Sequence, residues 1–130
     1  MLLYLTPRDR FHPEARAAFS NNSEPLITTY PVLSETCYLL ARSVSNQAQC
    51  NFLKTYLRGA FQLFDLQPAQ IERMVELMEK YSDLPMDLAD ASLVSLAEYL
   101  NNGRILTVDR RDFSIYRWGN NQPFENILLP

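Results

Sequence analysis

Residues 84–113 read LPMDLADASLVSLAEYLNNGRILTVDRRDF. Ala89, Leu93, Leu96, Ala97 and Leu100 recur at spacings of three and four, the stripe of a helix that buries one face. "NNG" ends that helix, and "RILTV", rich in β-branched residues, follows at once as a strand. Two aspartates, Asp87 and Asp90, stand at the start of the helix, and a third, Asp109, stops the apolar run of the strand. A helix leading directly into a short apolar strand is the repeating step of an α/β fold, so this stretch sets the fold class.

The rest of the chain repeats the step. "PLITTY" is a short β-branched and aromatic run, and Pro31 then favours the first turn of a helix over "PVLSETCYLLARSV", with Leu33, Thr36 and Leu40 in one turn-spaced row. "NQAQCNFLKTYLRGA" reads as a second helix on Phe52, Leu53, Tyr56 and Leu57, stopped near Gly59. "FQLFDL" alternates as a strand of undetermined orientation, and "QPAQIERMVELMEKYSD" is a helix burying Ile71, Met74, Val75 and Met78. "ENILLP" closes the chain as an edge strand, because Pro130 has no N–H to donate. Helices alternating with short strands imply an α/β domain with a mainly parallel sheet.

Composition narrows the function. The chain has 130 residues, suited to one domain, with 47% hydrophobic and 21% charged residues. A net charge of −3 and a pI near 5.1 argue against a general affinity for nucleic acid. A local patch escapes that average: Arg104, Arg110, Arg111 and Arg117 flank Asp109, either as a solvated face or as contacts to phosphates. Cys37 and Cys50 have neither a metal-ligand spacing nor a disulfide framework, which suits a reducing cytoplasm, and no run is long enough to span a bilayer. His12 lacks acidic or thiol neighbours at a ligand spacing and reads as a loop or helix-start residue.

The α/β geometry gathers the carboxylates. Each helix returns against the strand direction, so the start of one helix and the end of the next strand share a sheet edge. Asp87 and Asp90 lie on one helix face at that edge, Asp109 arrives there at the end of "RILTV", and Glu35 occupies the early turns of the helix after "LITT". Ligand sites of open α/β sheets lie beyond the carboxyl ends of the strands. Two carboxylates about 4 Å apart repel by roughly 4 kcal/mol at an effective dielectric of 20, and a hard divalent cation relieves that repulsion most directly. Mg²⁺ or Mn²⁺ held there would activate water for phosphodiester hydrolysis. Simpler roles stand beside this one. Asp87 also suits a helix cap, Asp109 a turn, and Asp112 either a further ligand or a turn, whereas an unpaired charge on Asp90 beside the apolar stripe would be costly. Thr107 lies on the same side of the strand as Asp109 and could support the site. Tyr116 and Trp118 read as packing residues or as faces on which a base could stack. A phosphoryl-accepting aspartate enzyme of the haloacid-dehalogenase type would need a second aspartate two residues after Asp109, where Arg111 stands.

The segments "LPMDLADASLVSLAEYL", "ILTVDRRDFSIYR", "LITTYPVLSETCYLL" and "RDRFHPEARAAF" together resemble a PIN domain of the VapC-type toxin group of ribonucleases. The resemblance implies a twisted parallel sheet flanked by helices on both faces, Mg²⁺- or Mn²⁺-dependent cleavage of RNA, a cognate antitoxin and a homodimer. It assigns metal-site and catalytic roles to Glu35, Asp90 and Asp109, with Thr107 supporting. Family members begin with a central strand ending in an aspartate. Here "LLYLTPRDRFH" reads as the helix and loop beyond that strand, and Asp9 falls in the later loop. Residues 1–130 are therefore expected to form one PIN-like domain, N-terminally truncated relative to the pattern, with the first central strand and its carboxylate absent, either because the start codon is placed too far downstream or because the member is decayed and keeps a three-carboxylate site. A catalytically inactive binding module is the alternative function.

Overall fold

The computed structural model describes residues 1–3, 25–84, 86–107 and 110–127. Asp9, His12 and Asp109 lie outside them, as do the side chains of Arg110 and Arg111. The described strands are β1 (Leu2–Leu3), β2 (Ile27–Thr29), β3 (Gln62–Phe64), β4 (Arg104–Leu106), β5 (Arg117–Trp118), β6 (Gln122–Pro123) and β7 (Glu125–Asn126). The described helices are α1 (Tyr30–Ser43), α2 (Asn46–Leu57), α3 (Pro68–Lys80), α4 (Leu88–Leu100) and α5 (Arg110–Ile115). Five strands form one sheet in the order β3-β2-β1-β4-β7, and every pairing in it is parallel. β5 and β6 form a separate antiparallel pair.

The expectation that the central strand is missing is corrected. β1 fills the middle position, with Leu2 opposite both Ile27 and Ile105 and Leu3 opposite Leu106. The physical reason is the edge itself: β2 and β4 without a strand between them would present two facing rows of unpaired amides and carbonyls. An extended apolar segment closes both, and Ile27 N–H donates to the Met1 carbonyl at 2.9 Å.

Alternation divides the sheet into two faces. Leu2, Ile27 and Ile105 point into a cluster with Leu93, Leu96, Met74 and Leu77, whereas Met1, Leu26 and Leu106 join Leu33, Leu40, Phe52 and Phe61. Helices thus cover both faces, α4 and α3 on one and α1 and α2 on the other. Among the described helices α4 is the innermost: every residue from Ala89 to Ala97 is buried, including Asp90, Ser92 and Ser95, so its environment is protein on nearly all sides. Leu100, counted in the sequence stripe, is exposed at its end.

α3 corrects another detail. Its buried positions are Met74 and Leu77, while Ile71 and Val75 are 45% and 47% exposed. The helix is rotated so that Gln70, Arg73, Met74 and Leu77 meet α4: Arg73 makes a two-pronged contact with Glu98, and Ser95 Oγ donates to the Gln70 carbonyl. The i, i+4 pair on the shoulder of that stripe is left outside.

Candidate functional site

β2 and β4 run in the same direction, so their carboxyl ends lie at one edge of the sheet. Thr29 and Thr107 each stand two residues beyond the row Ile27–Leu2–Ile105, at one level and on the face toward α4. Both are buried. Thr29 Oγ1 and Ser92 Oγ are 2.6 Å apart, which pins the first turns of α4 to the end of β2. The Thr107 carbonyl accepts a 2.8 Å hydrogen bond from the Asn126 side chain, which fixes the backbone where the chain leaves β4.

The start of α4 is a reciprocal cap. The Asp87 side chain accepts from Asp90 N–H at 2.9 Å, and Asp87 N–H donates to Asp90 Oδ2 at 3.4 Å. Asp87 is therefore the N-cap residue and Asp90 its partner one turn on. Asp90 is only 4% exposed. A carboxylate so enclosed requires hydrogen-bond partners, and the buried Tyr116 hydroxyl supplies one, donating to Asp90 Oδ2 at 3.1 Å. That tyrosine packs edge-on against Tyr81 and Phe113, whose ring centroids both lie 5.3 Å away.

Of the other residues singled out in the sequence, Glu35 is half-buried in the second turn of α1, and Asp112 is half-buried in the first turn of α5, with its carbonyl accepting from Tyr116 N–H. Among the described residues no three acidic, histidine or cysteine side chains form a metal-binding group. Of the three expected carboxylates, Glu35 and Asp90 fall within that set and Asp109 does not. The donors at this edge are carboxylate and hydroxyl oxygens, the chemistry that suits Mg²⁺ or Mn²⁺ rather than a softer ion. The thiols belong elsewhere: Cys37 is on α1 and Cys50 on α2, and burial, followed by the neighbouring Cys50, pushes Cys37 above the ordinary thiol value, so it is a poor nucleophile near neutral pH.

Sequence reasoning placed Tyr116 among packing residues and missed its hydroxyl contact with Asp90. No periodic pattern connects residues 26 positions apart. Trp118 does pack: its indole lies against Gly103 and donates to the Pro123 carbonyl at 3.1 Å.

Residues 1–118 match the pattern of the PIN domain. The chain belongs to the PIN domain family. Its similarity extends to Ribonuclease VapC26 of Mycobacterium tuberculosis, 31% identical over 117 residues that cover 90% of this chain and 87% of that protein. The fold of this PIN domain also matches the crystal structure of M. tuberculosis VapC20, described as a sarcin-ricin loop cleaving toxin, with a TM-score of 0.74 over 85% of this chain and 90% of that one, at 14% identity. The α/β PIN-like architecture expected from the sequence is thereby established, and the relationship is to ribonucleases of the VapC type. Among the described residues, no helix of this PIN domain is long and apolar enough to cross a membrane.

Proposed function

We propose that this PIN domain is a divalent-metal-dependent endoribonuclease, the toxin of a toxin–antitoxin pair acting in the cytoplasm. The observation that carries the reading is the enclosed Asp90 carboxylate at the carboxyl edge of the sheet, in a chain 31% identical to a ribonuclease. Glu35, Asp90 and Asp109 would hold Mg²⁺ or Mn²⁺, which when bound neutralises charge on a phosphoryl oxygen and lowers the pKa of a bound water. Asp90 contributes a carboxylate whose orientation is set before substrate arrives, because Asp87 N–H and the Tyr116 hydroxyl both hold Oδ2. Thr107, buried at the end of β4, supports the same edge. Arg110 and Arg111 open α5 immediately after Asp109 in the sequence, and their cationic side chains would meet the RNA phosphates that the acidic cluster alone would repel.

The test is cleavage of RNA by the purified chain with Mg²⁺ or Mn²⁺. Chelation, Asp90→Asn and Asp109→Asn should each bring cleavage to background, and coexpression with the product of the adjacent gene should suppress it. Cleavage that survives both substitutions would overturn the reading.

A second reading is supported by one sequence fact: β1 is followed by Tyr4, not by an aspartate. A site short of that carboxylate favours a PIN-like module that binds a partner protein without cutting RNA. Tight binding of the adjacent gene's product with no metal-dependent cleavage would select it; cleavage would exclude it.

A further inference from the structure

We infer that Tyr116 is a positioning residue for Asp90, locking the carboxylate in its metal-binding orientation and tying it to the segment that follows β4. The inference rests on the reading of Asp90 as a metal ligand. The Tyr116 ring is fully buried, so its hydroxyl cannot exchange its partner for bulk water, and it donates to Asp90 Oδ2 at 3.1 Å. The ring has little freedom to withdraw. It is held edge-on by Tyr81 on one side and Phe113 on another, and Phe113 in turn meets Phe124 at 5.4 Å. Its backbone N–H donates to the Asp112 carbonyl at 3.0 Å, closing the last turn of α5, and the next amide, that of Arg117, donates to the Tyr81 hydroxyl at 3.1 Å.

α5 starts directly after Asp109 and ends directly before Tyr116. The hydrogen bond to Asp90 therefore fixes the far end of the segment that carries Arg110 and Arg111 against the start of α4. Outer partners of ligating carboxylates set ligand orientation, and removing one typically costs 10- to 100-fold in metal affinity. Tyr116→Phe deletes the donor while keeping the ring. Tyr81→Phe is its matched control, because it deletes a hydroxyl from the same aromatic cluster that serves a backbone amide and not the carboxylate.

Mn²⁺ binding to the full chain, followed by electron paramagnetic resonance, separates the outcomes. The expected result is affinity weakened about tenfold in Tyr116→Phe, unchanged in Tyr81→Phe and lost in Asp90→Asn. Unchanged affinity in Tyr116→Phe alongside loss in Asp90→Asn overturns the role of Tyr116 alone. Equal weakening in both tyrosine variants also overturns it, by assigning the effect to packing. Unchanged affinity in Asp90→Asn overturns the underlying metal reading. A measurement on the unaltered protein guards against a variant that does not fold: Mg²⁺ should perturb a buried tyrosine band in the near-ultraviolet difference spectrum, and an unperturbed band counts against the inference.

Discussion

Asp87 and Asp90 are three positions apart and carry different loads. Asp87 is exposed, and its side chain is engaged in capping α4 through the Asp90 amide. An N-cap aspartate replaced by alanine typically costs about 1 kcal/mol, so Asp87→Ala should lower the melting temperature by a few degrees. A melting temperature equal to that of the unaltered protein would show that the cap adds nothing. The burial of Asp90 was legible in the sequence, because Leu93, Val94 and Ala97 follow it at helical spacing and draw that face into the core. The identity of its donor was not. Tyr116 reaches it through tertiary packing of an irregular segment, where no spacing rule operates. Ile71 and Val75 were misread for a related reason: two adjacent rows on α3 are both apolar, and only the Arg73–Glu98 and Ser95–Gln70 contacts decide which row turns inward.

At the scale of elements, the four long helices were readable from their periodicity and their stops. The short β5–β6 pair was not, since strands of two residues leave no alternation to detect. Its place is set by side chains on other elements. Glu98 of α4 accepts from Gly119 N–H at 2.8 Å while holding Arg73, and hydrogen bonding to Glu98 is the first cause of the raised Arg73 pKa. Trp118 lies on Gly103, where an added Cβ would come within 2.6 Å of indole Cε2. Gly103 therefore serves less as a helix terminator, a task performed by left-handed Asn101 at φ 51°, than as the floor on which the hairpin sits. Gly103→Ala should displace the indole and cost about 1–3 kcal/mol, as overpacking does. Trp118 is the chain's single tryptophan, so its fluorescence reports the displacement directly. An unshifted emission spectrum with unchanged stability would refute the close approach.

For the molecule as a whole, the decisive element is among the shortest. β1 has two residues, too few to announce a strand by pattern, yet it joins the β2–β3 half of the sheet to the β4–β7 half. Leu2 has no exposed surface and packs in the cluster with Leu93 and Ile105. Truncating a buried leucine to alanine typically costs 2–5 kcal/mol, set against a total stability of roughly 5–15 kcal/mol. Leu2→Ala should consequently remove a large share of the stability, read as a lower denaturant midpoint with an unchanged slope. The Ile27 amide, bonded to the Met1 carbonyl, should exchange slowly in the unaltered protein and much faster in the variant. A surface leucine at position 2 would instead change stability by no more than about 0.5 kcal/mol. Because Thr29 and Thr107 are brought level through β1, a result of that size would also remove the scaffold on which the proposed site depends.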